Sequence, residues 1–224
     1  IDGKILINLD NEEEGYLLVS CAGGIRSTAT INIERQDIKD KKLVKINVSG
    51  LKGGHSGMDI IKERGNSNKI LGRVLKGLSR EVNFNVVNLN GGSKNNAIPR
   101  EAEAVITINS SDENTVIDVI KNWNDIIGNE LRTQDSGLKI EVSSIADKEE
   151  KEFTDESTKK VIDLLYLYPN GINSKSVEID GLVESSTNLG VLTTNDNTVE
   201  FDSAIRSSVP SLKEEIVLRK IGRA

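Results

Sequence analysis

The sequence is short of several things, and each shortage closes off a class of explanation. It holds one cysteine, Cys21, so no intrachain disulfide can form and an intracellular location is the expectation. It holds one histidine, His55, whereas a catalytic zinc usually needs three protein ligands. Basic residues are in the minority, 29 Lys and Arg against 35 Asp and Glu, for a net charge of −6. That balance argues against a nucleic-acid groove, which needs a basic face to neutralise phosphates. No apolar run approaches the roughly 20 residues that would span a bilayer, and no signal-peptide pattern is read. A cytoplasmic chain without nucleic-acid or membrane partners is expected. The chain also opens on Ile1 and stops at "LRKIGRA", and an excised piece of a longer protein is expected.

What is present is enough for one large domain or two small ones: 224 residues, 36% of them hydrophobic. Short apolar or alternating runs at 4–9, 16–21, 28–36 and 42–50 read as strands. Helical spacing of Ile60, Ile61, Leu71, Val74, Leu75 and Leu78 predicts a helix over 57–79, with Ser56 as its N-cap and Asp59 completing a capping box. Strand patterns at 82–90 and 101–109, a helix through Val116, Ile120, Trp123, Ile127 and Leu131, and a strand at 138–145 follow. This is a split β-α-β-β-α-β unit of ferredoxin-like type. A helix capped by Thr154, strands near 175–180, 186–194 and 198–206, and a last helix from Ser211 partly echo that order. The fold class predicted is α+β: two ferredoxin-like subdomains whose largely antiparallel sheets are covered by helices. The charged stretch 147–157 is the expected seam, or else a solvated loop.

The only imidazole sits where the backbone is barest, in "GLKGGHSGMDI" (51–61). Glycines remove side chains that would screen the ring. A helix starting near Ser56 would aim free N–H groups and partial positive charge at the loop, favouring an anion and an uncharged imidazole. Such a ring can still donate one hydrogen bond to a developing oxyanion. The plainer alternative is a surface histidine in a glycine turn. Neither phosphate-loop pattern, G-x-x-x-x-G-K-[ST] or G-x-G-x-x-G, fits.

Three further residues have a chemistry to offer beside a plainer role. Asp10 ends the run "ILINL", where a carboxylate could bind a metal at a sheet's edge or simply form a turn. Asn96 in "NNAIPR" could donate two N–H bonds to a substrate, or sit in a hairpin stiffened by Pro99. Arg206 could fork onto a substrate carboxylate or pair with Asp202 on the surface.

Together "NLDNEEEGYLLVSCAGG", "GLKGGHSGMDI", "GNSNKILGRVL", "LNGGSKNNAIPREAEAVI" and "GLVESSTNLGV" resemble the bacterial Xaa-His dipeptidase family. Its other names include aminoacyl-histidine dipeptidase and peptidase D, and it belongs to the di-zinc peptidase superfamily. The motifs fall in the family's order from about Asp2 to Ile216. The resemblance implies a catalytic domain with two zinc ions and an inserted lid. On that basis residues 1–22 are a remnant of the zinc catalytic domain, 23–146 the first lid subdomain, and 147–224 the second and the return. It implies that His55 contacts the scissile carbonyl, that Asp10 is a zinc ligand, and that Asn96 and Arg206 bind substrate. The partners implied are a dipeptide, the rest of the catalytic domain and a second copy of the chain. The family's other zinc ligands and its general base have no match, so the chain alone is expected to be inactive, without bound zinc. The alternative is a non-catalytic dimerisation or ligand-binding module.

Overall fold

Apolar side chains at every second position from residue 42 onward build the sheet that carries the rest of the molecule. The computed structural model describes residues 4, 7, 14–15, 21–146 and 151–221. In the first half, β3 (Lys42–Ser49), β5 (Phe84–Gly91), β7 (Ala102–Ile108) and β8 (Lys139–Ser144) pair antiparallel in the spatial order β8-β3-β7-β5. Helices α1 (Ser67–Leu78) and α2 (Glu113–Glu130) connect them in the split β-α-β-β-α-β order. Val44, Ile46 and Val48 on β3 and Ala104, Ile106 and Ile108 on β7 share one core with Leu71, Val74, Leu75 and Leu78 of α1. Fully burying a side chain of this size is worth about 1.5–3 kcal/mol.

The second half adds α3 (Asp155–Leu167), the meander β10 (Gly171–Lys175), β11 (Val183–Thr194) and β12 (Thr198–Ser207), and α4 (Pro210–Ile221). Strand β1 (Gly23–Asn32), from the other end of the chain, pairs along the outer edge of β12. One edge of β11 is divided: its start takes β10, and its end takes β5 through Leu192↔Gly91 and Thr193↔Asn90. The α+β class and the antiparallel pairing are as the sequence implies. The second half, however, orders its strands β1-β12-β11-β10 instead of repeating the first half, and both halves share one eight-stranded sheet. Two small ribbons lie outside it: β2 (Arg35–Asp37) with β9 (Lys151–Phe153), and β4 (Gly54–His55) with β6 (Ala97–Ile98).

Four boundaries differ from expectation. The helix expected over 57–79 begins only at Ser67, capped by the Asn66 side chain, which accepts from the Lys69 amide. Ahead of it, Ile60–Lys62 forms a single 3-10 turn, which Glu63 ends in the left-handed conformation (φ 48°). Ile60 and Ile61 matched the helical period, but only Ile60 is buried, and no apolar face extends through Glu63 and Arg64. Strand β1 stops at Asn32 rather than running to 36. Strand β10 ends at Lys175: Val177 and Ile179 alternate like strand residues, yet stand exposed. Finally, α4 starts at Pro210, where the missing N–H removes a donor the first turn leaves unused anyway. Most of the expected strands at 4–9 and 16–21 lie outside the described residues. Among the described residues, no helix is long and apolar enough to cross a membrane.

Candidate functional site

His55 is held by its own loop and by a neighbouring one. The β4–β6 ribbon pairs it with Ala97, and the Ser56 amide then donates to the Asn96 carbonyl (2.9 Å). Ser56 therefore lies in the turn after the ribbon and caps no α-helix, since α1 begins only at Ser67. Local contacts do the orienting instead. The His55 amide donates to Asp59 Oδ2 (2.8 Å), and the Asp59 amide returns a bond to the His55 carbonyl (2.9 Å). Lys62 bonds Asp59 Oδ1 (2.6 Å). That bond first, and the His55 amide second, hold the Asp59 carboxyl below its usual range. Gly53 and Gly54 adopt φ of +63° and +143°; a Cβ on Gly54 would lie 2.5 Å from Asp59 Oδ2.

The ring itself is exposed. Its Nδ1 accepts from the Met58 amide (3.2 Å). In the neutral ring that bond places the proton on Nε2, which makes Nε2 a donor. Nε2 lies 3.5 Å from Nη2 of Arg206, which can only donate. Two donors this close have no use for each other, and both are free to serve acceptor oxygens of a ligand held at this place. Arg206 reaches the spot from β12 by passing over Gly57, where a Cβ would sit 3.2 Å from both Arg206 Nε and His55 Cε1. Arg206 Nε is buried without a hydrogen-bond partner among the described residues. The surface pairing with Asp202 does not form; Asp202 is taken by Arg26 (2.8 Å). His55, Arg206, Met58, Ile61 and Leu182 line a cleft of about 360 Å³.

Asn96 is placed differently. Its carbonyl anchors the His55 ribbon, while its exposed side chain makes no hydrogen bond to the described residues and does not line this cleft. Asp10 lies outside the described residues, and among those residues no group of three or more His, Cys, Asp or Glu could hold a metal. Arg100 lies against Gly53, where a Cβ would collide with its side chain.

The structure adds residues that sequence patterns did not reveal. The Asn188 side chain donates to the carbonyls of Asn95 (3.0 Å) and Ala97 (2.8 Å), and accepts from the Asn66 side chain (3.2 Å). Asn66 also donates to Asn170 Oδ1 (3.0 Å). This asparagine group fixes the loop that carries Asn96, and its members are spread from 66 to 188, beyond any local pattern. A larger cleft, about 610 Å³, lies beside α3, but its charges already pair: Lys76 and Lys159 with Asp163, Lys41 with Glu152. The two lysines that burial lowers most, Lys69 to about 8 and Lys220 to about 7, do not line the His55 cleft. Unmet donors mark that site.

Residues 46–135 match the family described as peptidase dimerisation domain. A cytosol non-specific dipeptidase of Escherichia coli is 37% identical over 97% of this chain and 45% of its own length. The crystal structure of an aminoacylhistidine dipeptidase from Vibrio alginolyticus superposes with a TM-score of 0.91 at 33% identity, over 99% of this chain and 45% of that one. The chain thus spans less than half the length of these relatives. It is homologous along nearly its whole length to these dipeptidases, and the match to the peptidase dimerisation domain falls within the part they share.

Proposed function

We propose that this chain is the lid of a cytoplasmic, metal-dependent dipeptidase that cleaves Xaa-His dipeptides such as carnosine. Residues 1–22 belong to the metal-bearing body, 23–146 to the first lid unit, and 147–224 to the second and the return. The observation that carries the reading is the convergence of His55 Nε2–H and Arg206 Nη2 at one cleft mouth. His55 donates to the oxygen that gains charge as the peptide carbonyl becomes tetrahedral. Arg206 takes the dipeptide's terminal carboxylate through its planar fork, with the Asn96 amide assisting. Preorganised donors of this kind act without reorganising at the moment of reaction. The described residues do not fit a zinc site, so no step here runs through a metal held by this chain. Asp10 is the one metal ligand we assign to it, within a site for two zinc ions completed by the remainder of the protein.

In the intact enzyme, His55→Ala should lower kcat by about 10²–10³ with little change in KM. A rise in KM alone would reassign His55 to binding. The 224-residue chain by itself, given zinc and carnosine, should show no turnover. The match to a dimerisation domain favours a second reading, a non-catalytic module that pairs two copies. Light scattering that shows a dimer, together with an unaffected His55→Ala enzyme, would select it.

A further inference from the structure

We propose that Asp135 is the positioning residue for His55. Its carboxylate clamps both ends of the loop that presents the imidazole. Asp135 Oδ1 accepts from the Lys52 amide (2.7 Å), and Oδ2 accepts from the Gly65 amide (2.7 Å). Those amides open and close the segment 52–65, which contains His55, Met58, Asp59 and the 3-10 turn. Because both reach one carboxylate, the two ends of the segment lie within a few ångströms of each other. His55 projects from the closed loop between them.

The bonds are of an unusual kind. Asp135 is 1% exposed, and none of the described ion pairs includes it. A buried carboxylate answered by backbone amides makes short, charge-assisted bonds. An apolar replacement would leave two N–H groups in the interior without partners. The residue sits in the turn after α2, tied down by its own amide to the Leu131 carbonyl (2.8 Å) and by its carbonyl to the Leu138 amide (3.0 Å). The anchor is therefore rigid on the sheet side and directed at the loop. Of the segment's other contacts, Arg64 also ties the two ends together by donating to the Gly53 carbonyl, while His55 to Asp59 is local and Ser56 to Asn96 holds the middle. Asp135 differs from Arg64 in lying outside the segment, so it fixes both ends to the body of the fold and not only to each other.

The catalytic consequence rests on the proposed role of His55; the clamp itself does not. Because the chain has one histidine, its imidazole nitrogens give one set of signals in a two-bond ¹H–¹⁵N spectrum. The unmodified chain should show the tautomer with the proton on Nε2. In Asp135→Asn the amide group can accept from only one of the two N–H groups and turns a donor toward the other. The ring signals should then shift toward a mixture of tautomers while the amides of β11 and β12 stay in place. In the intact enzyme kcat should fall by about 10–10² with KM changed far less, as for a misplaced catalytic group. A folded Asp135→Asn chain with unchanged ring signals overturns the proposal. Should that variant not fold, hydrogen exchange on the unmodified chain decides: the Lys52 and Gly65 amides should be the slowest in segment 51–66. Exchange as fast as their neighbours overturns it equally. A His55→Ala enzyme of unchanged activity beside a responsive ring would sink the oxyanion role and leave the clamp standing.

Discussion

The sheet core and the His55 loop lie a few residues apart in sequence, and they are held together by different physics. The core of β3, β5, β7 and α1 is a contiguous cluster of aliphatic side chains, several of them fully buried. Burial there is non-directional, and many residue choices would fill the same space. The loop from 52 to 65 buries little besides Gly53, Ser56, Ile60 and Gly65. Its shape comes from named hydrogen bonds to Asp59, Asn96 and Asp135, each of which needs one acceptor at one position. A site that must aim two donors within 3.5 Å of each other is built from the second kind of interaction and rests on the first.

The largest effect expected on stability alone comes from the core. Leu75→Ala, at a fully buried position of α1, should cost about 2–5 kcal/mol in denaturant unfolding. The His55 ring signals of the remaining folded protein should not move; if they do, the two regions are less separable than described. The next effect comes from the polar bracing. Asn188→Ala removes the partners of two carbonyls and one amide group, and should cost about 1–3 kcal/mol. Here the amide signals of residues 95–98 should shift, and the ribbon to His55 should loosen with them. Stability loss with no change in that segment would make Asn188 an ordinary core residue.

The last effect sharpens the contrast by pH. Burial holds Lys220 at about 7, against 10.5 for the ordinary side chain, while nearby Asp202 opposes the shift. Its Nζ bonds Thr187 Oγ1 (2.7 Å) and lies 5.1 Å from the Tyr168 ring centre. Between those pH values the unfolded chain binds the proton and the folded one does not, so stability should rise as pH climbs from about 7 to 10.5. The melting temperature of Lys220→Met should lose much of that slope. An identical slope in the variant would place the titration elsewhere.

The first half of the fold was legible because its periods are clean: Val44, Ile46 and Val48 on one strand, Ala104, Ile106 and Ile108 on another, and Val116, Ile120 and Ile127 on a helix. The helix start was misplaced because Ile60 and Ile61 keep the helical period by coincidence, and only packing shows that the chain turns between them and Ser67. Its correction takes the expected helix terminus away from His55, whose ring is oriented instead by the Met58 amide. Asp135, Asn170 and Asn188 gave no local signal, since their partners lie far along the chain, whereas Asn66 carried one as the N-cap of α1, three residues before Lys69, which the misplaced helix start hid.

The sequence by itself determined the α+β class, the antiparallel strands, the lone imidazole among glycines and the candidates His55 and Arg206, because local periodicity and residue chemistry travel with the chain. Only the tertiary structure decided that both halves share one sheet, that Arg206 lies over Gly57 at the imidazole, and that one buried carboxylate closes the loop. Those outcomes depend on which distant groups meet, and a directional hydrogen bond leaves no periodic trace in the order of residues.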